Sequence, residues 1–149
     1  MKTIAATLAI LLGLLLYLTG CGYVSSGTWE DDPANWGRAF ESVKPDDVVV
    51  VHSKYWRSPH WTYEFQYFFE IEPNDALRKQ LFTENKLVQL AGKEAAKAKR
   101  DSFGEAPKWF VPDSVESYEV WMYADRKASN FRVFVEKATG KLFLTDYQV

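Results

Sequence analysis

Two histidines and one nearby glutamate are the side chains of this chain best suited to metal binding or acid–base chemistry. His52 and His60 lie in adjacent predicted strands, and Glu64 shares a strand face with His60. Imidazole and carboxylate groups bind zinc, but a zinc site needs three or four such ligands. Histidines beside tryptophans in strands are more often packed or solvated than ligating. The sequence therefore predicts no metal site, and a hydrolase that uses His60 with Glu64 remains the alternative.

The remaining reactive side chains form no catalytic motif. The serines occupy no Gly-x-Ser-x-Gly elbow, and the chain has one cysteine and no glycine-rich phosphate loop. A glycosidase needs two acids across a cleft. Glu64 and Glu70 instead lie on one strand face, which alternation predicts to be solvated. We therefore predict no catalytic residues and no cofactor.

Aromatic and basic residues cluster at a predicted hairpin tip, at Trp56, Arg57, His60 and Trp61. Tryptophan and arginine are enriched at the hot spots of protein interfaces. The cluster has two interpretations: an aromatic core at the end of the sheet, or a patch that binds a protein or a glycan. These four residues are our candidate partner-binding residues.

The start of the chain combines a basic residue, an apolar run and the only cysteine. Lys2 precedes residues 4–18, which carry no charge and end in Leu18-Thr19-Gly20-Cys21. The run is about as long as the apolar part of a secretory signal and shorter than the roughly 20 residues that span a bilayer. The stretch resembles the lipobox of bacterial lipoprotein precursors. An uncleaved signal anchor is the alternative.

The resemblance implies removal of residues 1–20 and acylation of Cys21 with a diacylglyceryl group and a further fatty acyl chain such as palmitate. Two or more chains hold a protein stably on a bilayer, whereas one does not. Gly22 and Tyr23 follow the cysteine, in place of the aspartate typical of inner-membrane retention. We therefore expect the inner leaflet of the outer membrane, facing the periplasm. The inner membrane, or the cell surface of a single-membrane host, is the alternative.

Composition limits the partners that the chain can bind. The formal net charge of −2 is too small to indicate a nucleic-acid partner. Acylation of Cys21 would leave no thiol for a disulfide. Stability must then come from packing, to which an aromatic content of 16% contributes large buried areas.

The chain predicts a signal peptide over 1–20, an acylated flexible tether over 21–35 and a single domain over 36–149. Small and polar residues indicate the tether. Hydrophobic periodicity predicts helices over 35–40 and 76–82 and strands over 48–56, 61–71, 117–124, 131–136 and 141–147. Residues 84–100 form either one helix or a short strand over 86–90 followed by a helix over 93–100, which we favour. Trp109 and Phe110 are predicted to form a loop that covers the core.

These elements predict an α+β fold with a single antiparallel sheet of about five strands, ordered β-β-α-β-β-β, and helices packed on one face. Residues 137–140 are a hairpin loop that pairs Val135 with Leu142 and Phe134 with Phe143. In the strand over 61–71, the odd-numbered residues should face the core and the even-numbered ones the solvent.

The favoured function is a non-enzymatic, membrane-anchored envelope lipoprotein that binds an envelope protein or acts as an accessory. One specific form is an immunity-type inhibitor that meets an incoming toxin in the periplasm. The partners expected are the lipid bilayer, through Cys21, and an envelope protein. The second hypothesis is the small envelope hydrolase with a His and carboxylate pair.

Overall fold

One antiparallel sheet of seven strands organises the computed structural model, which describes residues 26–59, 64–100, 106–112, 114–125 and 129–149. The strands lie in the order β1-β2-β3-β7-β6-β5-β4. Their bounds are Gly27–Glu30 (β1), Val50–Arg57 (β2), Phe65–Ile71 (β3), Leu87–Leu90 (β4), Tyr118–Tyr123 (β5), Arg132–Glu136 (β6) and Leu142–Gln148 (β7). The helices are Asn35–Phe40 (α1), Asp75–Lys79 (α2), which continues as a π-helical turn over Gln80–Glu84, and Gly92–Arg100 (α3).

The sheet has more strands than the sequence predicts. A single antiparallel sheet with short helices is confirmed, but the structure is mainly sheet and not a clean α+β fold, and the prediction of about five strands is wrong. One additional strand is β1, which lies within the range assigned to the tether and pairs with β2. The other is β4, which confirms the favoured interpretation of residues 84–100. Both are edge strands of four residues, and β1 is the one that the sequence does not predict, because it is too short for alternation to identify.

The C-terminal meander follows the predicted register. Val135 lies opposite Leu142 and Phe134 opposite Phe143. The Glu136 backbone N–H donates to the Lys141 carbonyl at 2.9 Å, which closes the hairpin loop. Gly140 adopts a φ of 77°, a left-handed conformation that glycine takes without steric cost. Turn chemistry and hydrophobic pattern therefore specify this register together.

Apolar residues are buried on both faces of the sheet. Face A, which carries Tyr67, Phe69 and Leu144, packs against α1 and α2. Face B, which carries Phe134 and Phe143, packs against α3. The prediction of helices on one face is therefore wrong, because the two faces bury separate clusters under different helices.

Local signals form the two helices of face A. In α1, Trp36 and Phe40 lie one turn apart with ring centroids 4.5 Å from each other. At the start of α2, the Asn74 side chain accepts a hydrogen bond from the Leu77 N–H at 2.7 Å, as an N-cap does. Leu77 and Leu81 are both buried in the face A cluster.

Face B is closed by the segment before β5. Phe110 packs edge-on against Phe68 and Phe143, with centroids 4.9 and 5.7 Å away, so the prediction of a loop over the core is confirmed for Phe110. The same contacts bury the even-numbered side of β3, where Glu70 is only 9% exposed. The prediction that this side is solvated is therefore wrong. Lys141 donates to the Glu70 carboxylate at 2.7 Å and neutralises it.

Candidate ligand-binding cavity

A cavity of about 490 Å³ opens on face A between α1 and α2. Its volume lies in the range of small-molecule and side-chain binding pockets. Strand residues form its floor, and both helices and the segments after them form its walls. The lining residues are Trp36, Phe40, Ser42, Tyr67, Leu77, Gln80, Leu81, Asn85, Tyr123, Ser129, Phe131, Leu144 and Asp146.

The cavity follows from the small size of the helices that cover face A. Helix α1 has six residues and ends at Glu41, whose φ of 49° turns the chain away. Helix α2 with its π-helical turn covers another part of the face, near Leu77 and Leu81. Two short helices do not fill the face of a seven-stranded sheet, so an aromatic-lined gap remains between them.

Asp146 is the only acidic residue among the described residues that line this cavity. It lies on β7 directly opposite Tyr67 of β3, so both side chains are on face A. Its Oδ1 atom accepts a hydrogen bond from the Tyr147 backbone N–H at 2.8 Å. Burial raises the pKa of Asp146 to about 6, although this hydrogen bond and the charge of Arg132 act in the opposite direction.

Two phenol groups lie near this carboxyl group. Burial raises the pKa of Tyr67 well above its ordinary value, and the negative charge of Asp146 and the nearby phenols of Tyr123 and Tyr55 contribute to the rise. Tyr67 therefore stays protonated and can donate a hydrogen bond. Polar groups thus converge at the floor of an otherwise aromatic cavity.

The indole N–H of Trp36 has no hydrogen-bond acceptor within the described part of the chain. Trp36 is 7% exposed and lines the cavity. A buried donor without a partner costs free energy, which natural folds usually avoid. This donor and the carboxyl group of Asp146, which forms no ion pair with a described residue, both line the cavity.

The described lining residues of this cavity are suited to binding. Glycoside hydrolysis needs two carboxyl groups across the substrate, and this cavity presents one. Acyl transfer needs a nucleophile beside a histidine, and neither His52 nor a cysteine lines the cavity. One carboxyl group in an aromatic pocket instead provides an anchor for a hydrogen-bond donor or a cation.

The predicted partner-binding residues lie elsewhere. Trp56 lies opposite Gln66 on face B and Arg57 opposite Phe65 on face A, and both are partly buried. His60 and Trp61 lie outside the described residues. Arg57 lines a separate depression of about 470 Å³ with Phe40 and Tyr55. The described residues thus divide the predicted cluster between the two faces.

His52 lies at the side of the sheet formed by β1 and β2. Its Nδ1 atom is 3.2 Å from Asp31, and its ring stacks on Trp109 with centroids 5.4 Å apart. Within the part of the chain that the structure describes, no three His, Cys, Asp or Glu side chains form a group able to hold a metal ion. The carboxylate beside His52 is thus Asp31, a pairing that the sequence analysis did not identify.

Alternation along β7 contains the signal that identifies Asp146. Leu142, Leu144 and Asp146 lie on one face, and both leucines are almost fully buried. An acidic residue on the same strand face as two core residues indicates either that the core ends there or that the carboxyl group is functional. Sequence reasoning missed it, because the search for paired acids concentrated on β3.

No protein-family model matches the chain, and no curated protein or solved structure is significantly similar to it. Among the described helices, none is both long enough and apolar enough to span a bilayer. The function must therefore be inferred from the residues of this chain.

Proposed function

We propose that the protein is a non-enzymatic envelope lipoprotein, anchored through acylated Cys21, that binds a side chain of an envelope protein in the cavity of face A. The observation that carries the binding part is the aromatic cavity between α1 and α2 with its single carboxyl group. A preformed apolar pocket with a few polar groups is the usual form of a binding site.

The lipobox resemblance of Leu18-Thr19-Gly20-Cys21 supports the anchoring part. The segment from Cys21 to Gly27 spans at most about 20 Å when fully extended. Gly27 pairs with Arg57 at the end of β2, so this end of the sheet would lie near the bilayer. Tryptophan and arginine side chains are favourable at a membrane interface. In this orientation, Trp56 and Arg57 would contact lipid headgroups.

Binding and accessory roles fit one small domain held permanently at a membrane. An immunity-type inhibitor is the specific form in which the bound protein is an incoming toxin. The hydrolase alternative pairs His60 with Glu64, and His60 lies outside the described residues. The other histidine, His52, contacts Asp31 and Trp109 and does not line the cavity of Asp146.

The test blocks the mouth of the cavity and measures retention of envelope proteins. Ser42 is exposed and lines the cavity, so Ser42→Trp should fill its mouth without disturbing the core. Thr83→Trp adds the same bulk at an exposed position of the π-helical turn that does not line the cavity.

We expect the wild-type protein and Thr83→Trp to retain the same envelope protein from detergent-solubilised membranes, and Ser42→Trp to lose it. Circular dichroism and unfolding midpoints provide the folding control for both variants. Equal retention by Ser42→Trp would contradict the assignment of this cavity as the binding site.

A further inference from the structure

We infer that the group of the partner that enters the cavity is an alkylammonium, as on a lysine side chain, with its charge on the Asp146 carboxylate. This inference rests on the proposed binding function and identifies the chemistry that the cavity recognises. Three features support it: an unpaired carboxylate, aromatic walls, and the absence of a cationic residue from the described lining.

The carboxylate of Asp146 is available to a ligand. Its one hydrogen bond inside the described chain is the bond that Oδ1 accepts from the Tyr147 N–H. None of the ion pairs between described residues includes Asp146. A buried carboxylate without a partner is unfavourable, and an ammonium group placed against it forms a charge-assisted hydrogen bond.

The described cation that acts on Asp146 does not line the cavity. Arg132 influences Asp146 electrostatically, but its Nη1 atom donates to the Asn130 carbonyl at 2.9 Å. It lies opposite Thr145, the neighbour of Asp146 on β7, and therefore on face B. It lines a different cavity there, with Lys97 and Tyr147. A ligand ammonium on face A would thus approach Asp146 without meeting the Arg132 side chain.

The other polar groups among the described lining residues carry no ionic charge. Tyr67 of β3 and Tyr123 of β5 are phenols, and both line the cavity. The remaining polar lining residues are hydroxyl and amide side chains, which can accept hydrogen bonds from an ammonium group: Ser42, Gln80, Asn85 and Ser129. The Asp146 carboxylate is thus the one ionic charge of the described lining, and a cationic ligand would neutralise it.

The aromatic walls suit both parts of a lysine side chain. Trp36 and Phe40 offer an apolar surface to the methylene stem, and their rings lie 4.5 Å apart. Tyr67 is 5.3 Å from Phe40 between ring centroids. Aromatic faces attract an ammonium group, and the attraction strengthens when water is excluded. A neutral aliphatic side chain would satisfy the walls but not the carboxylate.

The test compares three small probes that differ in their side-chain ends. N-acetyl-lysine methylamide carries the ammonium, N-acetyl-norleucine methylamide has the same stem without charge, and the arginine counterpart carries a guanidinium. Each is titrated into the full ¹⁵N-labelled protein in detergent micelles at about pH 7.5, where Asp146 is ionised. The Trp36 indole N–H signal reports occupancy of the cavity.

We expect the lysine probe to bind at least tenfold more tightly than the norleucine probe. In Asp146→Asn, which keeps the size and removes the charge, this preference should disappear while norleucine binding stays unchanged. The comparison on the wild-type protein needs no variant, so it decides the inference even if Asp146→Asn fails to fold.

Equal affinity for lysine and norleucine would overturn the cation inference and leave the proposed binding function intact. Tighter binding of the arginine probe by tenfold or more would overturn the assignment of an alkylammonium. If no probe shifts the Trp36 signal, the inference is wrong, and the retention test with Ser42→Trp decides the proposed function separately.

Discussion

At the residue scale, polar groups without partners distinguish this protein from a simple packed sheet. Asp146 and the Trp36 indole belong to the face A cavity. Three other buried atoms without partners within the described chain, in Gln66, Arg132 and Thr145, lie on face B. Such groups lower stability, and natural folds retain few of them. We assign a binding role to the polar groups beside the cavity. Thr145 has no such role, so its substitution measures only the free-energy cost of a buried hydroxyl without a hydrogen-bond partner.

Asp146 should make stability fall between about pH 4 and pH 6. Its folded pKa of about 6 lies above the ordinary value of 3.8, so the folded state binds more protons in this window. Stability therefore decreases as pH rises, by about 3 kcal/mol in total, and the penalty is absent below the window.

Urea unfolding of wild type and Asp146→Asn at several pH values checks this expectation. The difference between the two proteins isolates Asp146 from the other carboxylates. The free energy of unfolding of Asp146→Asn should rise relative to that of wild type as pH increases to about 6, and the difference should persist at higher pH. A difference that stays constant with pH would show that Asp146 does not titrate in this range.

Thr145→Val should stabilise the protein by about 1 kcal/mol, because it removes a buried hydroxyl without a hydrogen-bond partner and keeps the shape. Thr139→Val is the matched control. Its exposed hydroxyl bonds the Glu136 carboxylate and accepts from the Lys141 N–H, so its loss should cost about 0.5 kcal/mol. Chemical denaturation measures both, and destabilisation by Thr145→Val would contradict the expectation.

At the element scale, short helices produce the cavity, and local signals form them. The Asn74 cap and the Trp36–Phe40 pair act within one or two turns, so sequence alone predicts α1 and α2. Local signals also specify the β5–β7 meander, because its turn residues and its alternation of apolar residues predict the same strand pairing. Strand β1 is different, since it depends on pairing with β2 and on contacts of Trp29 with residues distant in sequence. Burial of both sheet faces depends on Phe110 and α3 and could not be predicted from alternation within β3.

The difference between local signals and contacts between distant segments also explains how much of the candidate site the sequence predicts. The odd-numbered residues of β3, including Tyr67, are predicted to face the core, as they do from Phe65 onward. The position of Asp146 opposite Tyr67 depends on the pairing of β3 with β7, which no local pattern specifies. The cavity itself depends on how two separate helices pack on one face. The floor could thus be predicted in part, and the cavity could not.

Asn74→Ala should destabilise the protein by about 1 kcal/mol, because it removes the N-cap of α2. It also removes the hydrogen bond from the Asn74 side chain to the Asp47 carbonyl at 2.9 Å. Asn74→Ser keeps a capping oxygen and should recover most of the loss. Equal unfolding midpoints for Asn74→Ala and wild type would argue against a stabilising cap.

At the scale of the whole molecule, the proposal joins an anchor at one end of the sheet to a binding cavity on face A. Gly27 pairs with Arg57 at the end of the sheet near the anchor, and Asp146, which lines the cavity, lies near the end of β7. The lipid would keep the protein at the membrane, and the cavity would supply its selectivity.

The anchored orientation predicts that Trp56 lies close to lipid headgroups. Brominated lipids should quench the part of the tryptophan fluorescence that Trp56→Phe removes. Trp121→Phe is the control, because Trp121 lies on β5, separated from β2 by three strands. Its removal should leave the fluorescence intensity lost to quenching unchanged. Equal loss of quenching in the two variants would contradict the orientation.

The most direct test of the central claim is the pKa of Asp146 with and without the ligand group. Carbon-13 NMR of labelled aspartate, assigned with Asp146→Asn, measures it in the free protein and at saturation with N-acetyl-lysine methylamide. We expect a pKa of about 6 in the free protein. Because a bound ammonium favours the ionised carboxylate, the value should fall by about one unit or more on binding. An unchanged pKa at saturation would contradict contact between the ligand cation and Asp146.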